Sequence, residues 1–221
     1  MIKMNLPNKI TLSRIFMVPV FMLFVIPIPI PVWITDIKVV RVLERFNDFM
    51  DAYGGYIAAG IFIILASTDA VDGYIARKHE MITKMGIFLD PIADKLLVTA
   101  ALIALLGRGE LTGWAAMIII GREFIVTGLR LVLAGEGVVV AASKWGKIKT
   151  VSQMVAIVLS LVKNYPFNIW TDFQFDWWAM LIAVLITVYS LYDYLKKNIH
   201  IIVNNAKEIK EGGSYGHKCN G

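Results

Sequence analysis

The sequence predicts an all-α fold: a bundle of six transmembrane helices with an N-terminal interfacial helix. Three observations predict it. Hydrophobic residues make up 57% of the chain and charged residues only 18%. Several apolar runs approach the ~20 residues that a helix needs to cross a bilayer. The Lys and Arg residues fall mostly on one side of the alternating segments, the asymmetry expected of cytoplasmic loops.

The elements follow in order. Pro7 and Asn8 sit where a helix can start, with Asn8 as a cap. Segment 1 is expected from Ile15 to Ile30, kinked or ended by Pro19, Pro27 and Pro29. Residues 31–53 carry charges of both signs and read as an external loop with an amphipathic piece. Segment 2 is expected over Gly54–Ala76, segment 3 over Met85–Leu106 and segment 4 over Gly113–Ala134. Residues 135–150 read as a basic loop. Segment 5 is short, Thr150–Leu161, extendable back to Gly146; segment 6 covers Trp177–Leu195. Trp170, Trp177 and Trp178 suit an interfacial belt. Residues 1–200 form the membrane domain, and residues 201–221 read as a polar, mobile cytoplasmic tail.

Six spans place both termini on one side. That side holds Lys3, Lys9 and Arg14, the loops around Arg77–Lys84 and Lys144–Lys149, and the lysines of the tail. The other side holds Lys38, Arg41, Arg45, Arg108 and Lys163. The more basic side is therefore cytoplasmic, in the cell membrane. The positive charge is read as contact with membrane phospholipids and not as a nucleic-acid surface. The first apolar stretch is long, holds prolines and lacks a small-residue cleavage site, so it is expected to stay as an anchor. A single cysteine, Cys219, excludes an internal disulfide framework. His79, His200 and His217 show no metal-ligand spacing.

The informative stretch is Asp69–Asp94. Asp69 and Asp72 are three apart, Asp90 and Asp94 four apart, so each pair shares a helix face. A polar linker from Lys78 to Met85 lets the two helices run antiparallel. Asp69 and Asp94 then lie at matched depths, ~10–14 Å inside their helix ends. One carboxylate at the centre of a membrane helix costs roughly 2.5–3.5 kcal/mol, so four unpaired ones would cost on the order of 10 kcal/mol. Clustered carboxylate oxygens suit a hard divalent cation, Mg2+ or Mn2+. Solvated helix ends are the bland alternative. Gly73 and Gly86 remove bulk beside the aspartates, which allows a close approach of backbone or nucleotide.

The run reads D-x2-D-G-x2-A-R-x8-G-x3-D-x3-D without a gap. It resembles the CDP-alcohol phosphatidyltransferases. The resemblance implies that Asp69, Asp72 and Asp90 bind metals, two of them in all, with Asp94 as general base and a further metal contact. It also implies that Thr68, Gly73, Ala76, Arg77 and Gly86, with Asn8, Thr11 and Arg14 of the opening segment, lie by CDP-diacylglycerol. Asn8, Thr11 and Arg14 are spaced by threes near one helix face. A homodimer is the assembly it implies.

Segment 4 contains Arg122, Glu123, Thr127 and Arg130. Two readings stand side by side: an ion pair of Glu123 with Arg122 or Arg130 that orders the bundle, or a cationic pocket for phosphate. Gly121–Phe124, Thr127–Arg130 and Gly146–Thr150 resemble the phosphatidylglycerophosphate synthase branch of the family. That implies sn-glycerol 3-phosphate as acceptor, its phosphate held by Arg122, Arg130, Lys147 and Lys149. Other acceptors such as inositol phosphate, a membrane prenyltransferase and a transporter are the rival readings. The prenyltransferase pattern lacks the Asp-Gly-x2-Ala-Arg join. A transporter would be expected to show an inverted repeat, and none is visible.

Overall fold

A computed structural model describes the backbone of residues 6–31, 33, 36–78, 84–135, 143–165, 170–171 and 173–215. Within these, the side chains of 6–10, 69–78, 84–91, 94, 135 and 199–215 lie outside the described set. Every regular element among the described residues is helical: α1 Leu6–Val25, α2 Ile37–Phe49, α3 Gly55–Lys78, α4 Lys84–Gly107, α5 Gly113–Gly135, α6 Lys144–Leu161 and α7 Phe175–Tyr215.

The apolar segments form α1, α3, α4, α5, α6 and α7, with some bounds moved. The opening residues run straight into the first apolar segment, so α1 starts at Leu6 and Asn8 lies inside the first turn. Pro7 fits there because its missing N–H belongs to the unbonded first turn. The helix accommodates Pro19 and ends at Val25, earlier than expected. Pro27 forces the residue before it away from helical dihedrals, and the chain leaves the helix as an irregular stretch. That stretch is pinned to α2. Asn47 Oδ1 accepts from Ile28 N at 3.0 Å, and its Nδ2 donates to Ile28 O at 3.0 Å.

The charged insert holds the amphipathic helix α2, capped by Asp36, whose Oδ1 accepts from Lys38 N at 2.9 Å. None of its residues is buried. It continues through a wide π-type turn, Met50–Gly54, into α3. Gly54 and Gly55 allow that continuation to pass between two neighbours. A Cβ on Gly54 would lie 2.2 Å from Phe24 O, and one on Gly55 would lie 2.2 Å from Leu161 O. The start of α3 thus meets the ends of α1 and α6, so α3 runs opposite to both.

The core lies between α1, α3, α4, α5, α6 and α7. Phe21, Phe62, Leu102, Leu105, Ile119, Ile157 and Leu161 are wholly or almost wholly buried. Phe21 and Phe62 rings lie 6.2 Å apart. Ala58, Ala59, Ala101, Ala104, Ala156 and Ala183 line the contacts between helices, where small residues let backbones come close. The outward surface is apolar too: Phe16, Trp114, Leu131, Val132, Leu185 and Tyr192 are mostly exposed. Among the described residues, two helical stretches, Ile37–Thr68 and Phe175–Asn198, are long and apolar enough to cross a membrane. Arg122, Glu123 and Arg130 interrupt the apolar run of α5.

The C-terminal stretch differs from expectation. The α7 helix continues through the polar residues to Tyr215. No proline or glycine interrupts residues 196–211, and Ala, Lys and Glu there are good helix formers. Helix α6 also starts earlier, at Lys144, where Ser143 caps it by accepting from Gly146 N at 3.1 Å.

Candidate functional site

Two sets of residues compose the candidate site. The first is the carboxylate run. Asp69 and Asp72 fall in the second half of α3, and Asp90 and Asp94 in the first half of α4. Only residues 79–83 join these helices. The matched depth read from the sequence holds along both, because Asp69 lies about 14 Å before Lys78 and Asp94 about 15 Å after Lys84. The side chains of Asp69, Asp72, Asp90 and Asp94, and of Asn8, Gly73, Ala76, Arg77 and Gly86, lie outside the described residues. Thr68 is described: its hydroxyl donates to Ile64 O of its own helix at 2.7 Å. Thr11 and Arg14, on α1, are both buried.

The second set is an ionic network among α5, α6 and α7. Arg122 Nη1 donates to Glu123 Oε1 at 3.0 Å, and Lys149 Nζ from α6 is paired with the same oxygen. Arg122 Nη2 donates to Ser190 Oγ on α7 at 2.8 Å. Arg122, Lys149 and Ser190 are all buried. One carboxylate between two cations reduces the cost of burying them. It also leaves the trio with one positive charge over. Arg130 follows two turns later on α5, with its guanidinium 5.6 Å from the centre of the Tyr194 ring. The Nε atoms of Arg122 and Arg130 and the Tyr194 hydroxyl are buried and have no hydrogen-bond partner among the described residues.

The two sets approach each other through α4. Lys95, next in sequence to Asp94, lines a small cavity with Glu123, Lys149, Thr150 and Gln153. Its volume is about 30 Å3, the share of one water molecule in the liquid. Of the residues expected to bind phosphate, Arg122 and Lys149 share one partner. Arg130 lies farther along α5, and Lys147 is exposed on α6. The Arg122–Glu123 ion pair anticipated from sequence is present, with Lys149 as an additional member.

Sequence reasoning placed α7 but missed its buried polar face. Thr187, Ser190, Tyr194 and Asn198 are all buried. Their spacing of three, four and four puts them on one helix face. A polar stripe at that period inside an apolar segment was the available signal.

A carboxylate run and a buried, cation-rich network in one helical chain suit the transfer of phosphorylated groups, which relies on charge neutralisation. Comparison with known proteins makes the class specific. The CDP-alcohol phosphatidyltransferase family matches residues 4–189. A Bacillus subtilis relative named CDP-diacylglycerol–glycerol-3-phosphate 3-phosphatidyltransferase is 46% identical over 88% of this chain and 95% of its own. A Pseudomonas fluorescens relative of the same name is 36% identical over 94% and 97%. A Mycobacterium tuberculosis relative, named a probable phosphatidylglycerophosphate synthase, is 35% identical over 90% and 83%. The chain belongs to the CDP-alcohol phosphatidyltransferase family. Enzymes of this family use a divalent metal ion.

Proposed function

We propose that the protein transfers a phosphatidyl group from CDP-diacylglycerol to sn-glycerol 3-phosphate, forming phosphatidylglycerophosphate and releasing CMP. The observation that carries this reading is the 46% identity to a relative bearing that name, over nearly the whole length of both chains. The gap-free motif from Asp69 to Asp94 and the surplus positive charge around Arg122 and Lys149 support it.

The donor set fits a hard cation: along two helices joined by a short connection, Asp69 matches Asp94 in depth and Asp72 matches Asp90. Asp69, Asp72 and Asp90 would hold Mg2+ or Mn2+, two ions in all, with Asp94 also in contact. When bound, the ions neutralise the diphosphate charge and polarise its oxygens. Asp94 takes the proton from the acceptor hydroxyl. The freed oxygen attacks the phosphorus nearest the diacylglycerol, and the bond from that phosphorus to the CMP oxygen breaks. Asn8, Thr11, Arg14, Thr68, Gly73, Ala76, Arg77 and Gly86 hold the CDP-diacylglycerol. Arg122, Arg130, Lys147 and Lys149 receive the acceptor's phosphate. Arg suits that task because its planar fork matches two oxygens at once.

The apolar exterior supports a bundle of six spans in the cell membrane, surrounded by phospholipid, with both termini and the active site cytoplasmic. Large exposed apolar surfaces are uncommon on soluble proteins. A homodimer is the assembly we infer. The test is CMP release by purified protein with and without sn-glycerol 3-phosphate, and with and without EDTA. Release that requires both the acceptor and free divalent metal is expected. Acceptor-independent release, or full activity in EDTA, would overturn the reading.

A further inference from the structure

We propose that Ser190, on α7, is a positioning residue that holds Arg122 ready for the phosphate of the acceptor. The inference rests on the phosphorylated-acceptor reading above. Arg122 is held at two of its three nitrogens: Nη2 by Ser190 Oγ at 2.8 Å and Nη1 by Glu123 Oε1 at 3.0 Å. Its Nε is buried and has no partner among the described residues. A guanidinium has five N–H donors, so these two bonds leave the Nε–H and further Nη protons for an incoming anion.

Two features separate Ser190 from an ordinary helical serine. A buried hydroxyl in an apolar helix commonly bonds back to the carbonyl four residues earlier. Thr187, one turn before, does this: its hydroxyl donates to Ala183 O at 2.6 Å. Ser190 instead accepts from a side chain 68 positions away in sequence. Second, Tyr194 lies four residues on, on the same face of α7, and meets the other α5 arginine. One face of α7 therefore backs both arginines. A long side chain already fixed loses less freedom when an anion binds.

The test uses the full chain purified in detergent, with Ser190→Ala and Ser190→Thr variants. Losing one anchoring bond to a charged group should raise the KM for sn-glycerol 3-phosphate about three- to tenfold. The KM for CDP-diacylglycerol and kcat should stay at wild-type values, and Ser190→Thr should restore the acceptor KM. In a second arm, inorganic phosphate is titrated against thermal unfolding. Ser190→Ala should need severalfold more phosphate than wild type for the same protection. Should Ser190→Ala not purify, Ser190→Cys replaces it in both arms. Unchanged acceptor KM and phosphate response would overturn the proposal, as would equal losses for both substrates, or a Ser190→Thr variant no better than Ser190→Ala. If wild type ignores sn-glycerol 3-phosphate, the proposed function falls, while the phosphate arm still judges Ser190.

Discussion

Two arginine–glutamate pairs lie toward opposite ends of the bundle, and their surroundings differ. In each, nitrogen and oxygen are 3.0 Å apart. Arg108–Glu110 sits in the short α4–α5 turn, where Glu110 borders a cavity of about 550 Å3 with Lys163, Asn164 and Asp176. There, two cations face two carboxylates. Burial pushes the Glu110 carboxyl above its ordinary range, and the attraction of Arg108 and Lys163 does not cancel that. Arg122–Glu123 has another cation, Lys149, on the same carboxylate oxygen, and Arg130 further along α5. Among the described residues this network carries excess positive charge. The balanced pair closes a turn; the unbalanced one is where we propose that an anion binds.

The largest effect that tests this contrast is on turnover. Asp94→Asn should abolish CMP release while the protein still inserts, a loss of about a thousandfold or more for a general base. Asp176→Asn, at the balanced end, should leave turnover unchanged. Wild-type turnover in Asp94→Asn would remove it as the base. A drop in Asp176→Asn would erase the distinction between the two ends.

Next in size is stability. Glu123→Ala leaves Arg122 and Lys149 buried without their shared carboxylate, and breaking such a pair costs about 3–5 kcal/mol. Its melting temperature in detergent should fall well below that of Glu110→Ala, which strands one arginine beside an open cavity. Equal melting temperatures would show that the second cation adds nothing.

Arg130→Ala should raise the apparent KM for the phosphorylated acceptor about tenfold, the range of one charged hydrogen bond. An acceptor titration reads this directly, and an unchanged value would take Arg130 out of the site.

The smallest effect concerns Glu110. Its folded carboxyl binds protons more readily than in the unfolded chain. Its contribution to stability is therefore complete below the ordinary carboxylate value of 4.5 and declines as pH rises through the raised folded value. Melting curves of wild type and Glu110→Gln should diverge in Gln's favour as pH increases from 4 toward 7. A wild-type advantage that grows with pH would mean the Arg108 attraction outweighs burial.

Legibility differed by element. The apolar runs of α3, α4 and α5 gave helix positions within a residue or two, because long, mostly apolar segments have few alternatives. The ends of α1, α6 and α7 were read less well. Pro7 inside a first turn, Ser143 as a cap and a polar but helix-forming C-terminal stretch are weak local signals beside apolar periodicity. Of the network, Arg122 and Glu123 were visible as charges where charge is costly, and Lys149 only through the family resemblance. Ser190 and Tyr194 were legible only as part of a polar stripe, since a serine or tyrosine in an apolar helix does not name its partner.

The amino-acid order alone settled the helical class, the carboxylate spacing and the family resemblance, because each depends on residues close together along the chain. Which partners the buried charges take was decided by tertiary structure. Glu123 lies between Arg122 and Lys149, and Ser190 lies against Arg122, only because α5, α6 and α7 pack side by side. Pairings across 26 and 68 positions leave no local trace, since packing of whole helices sets them.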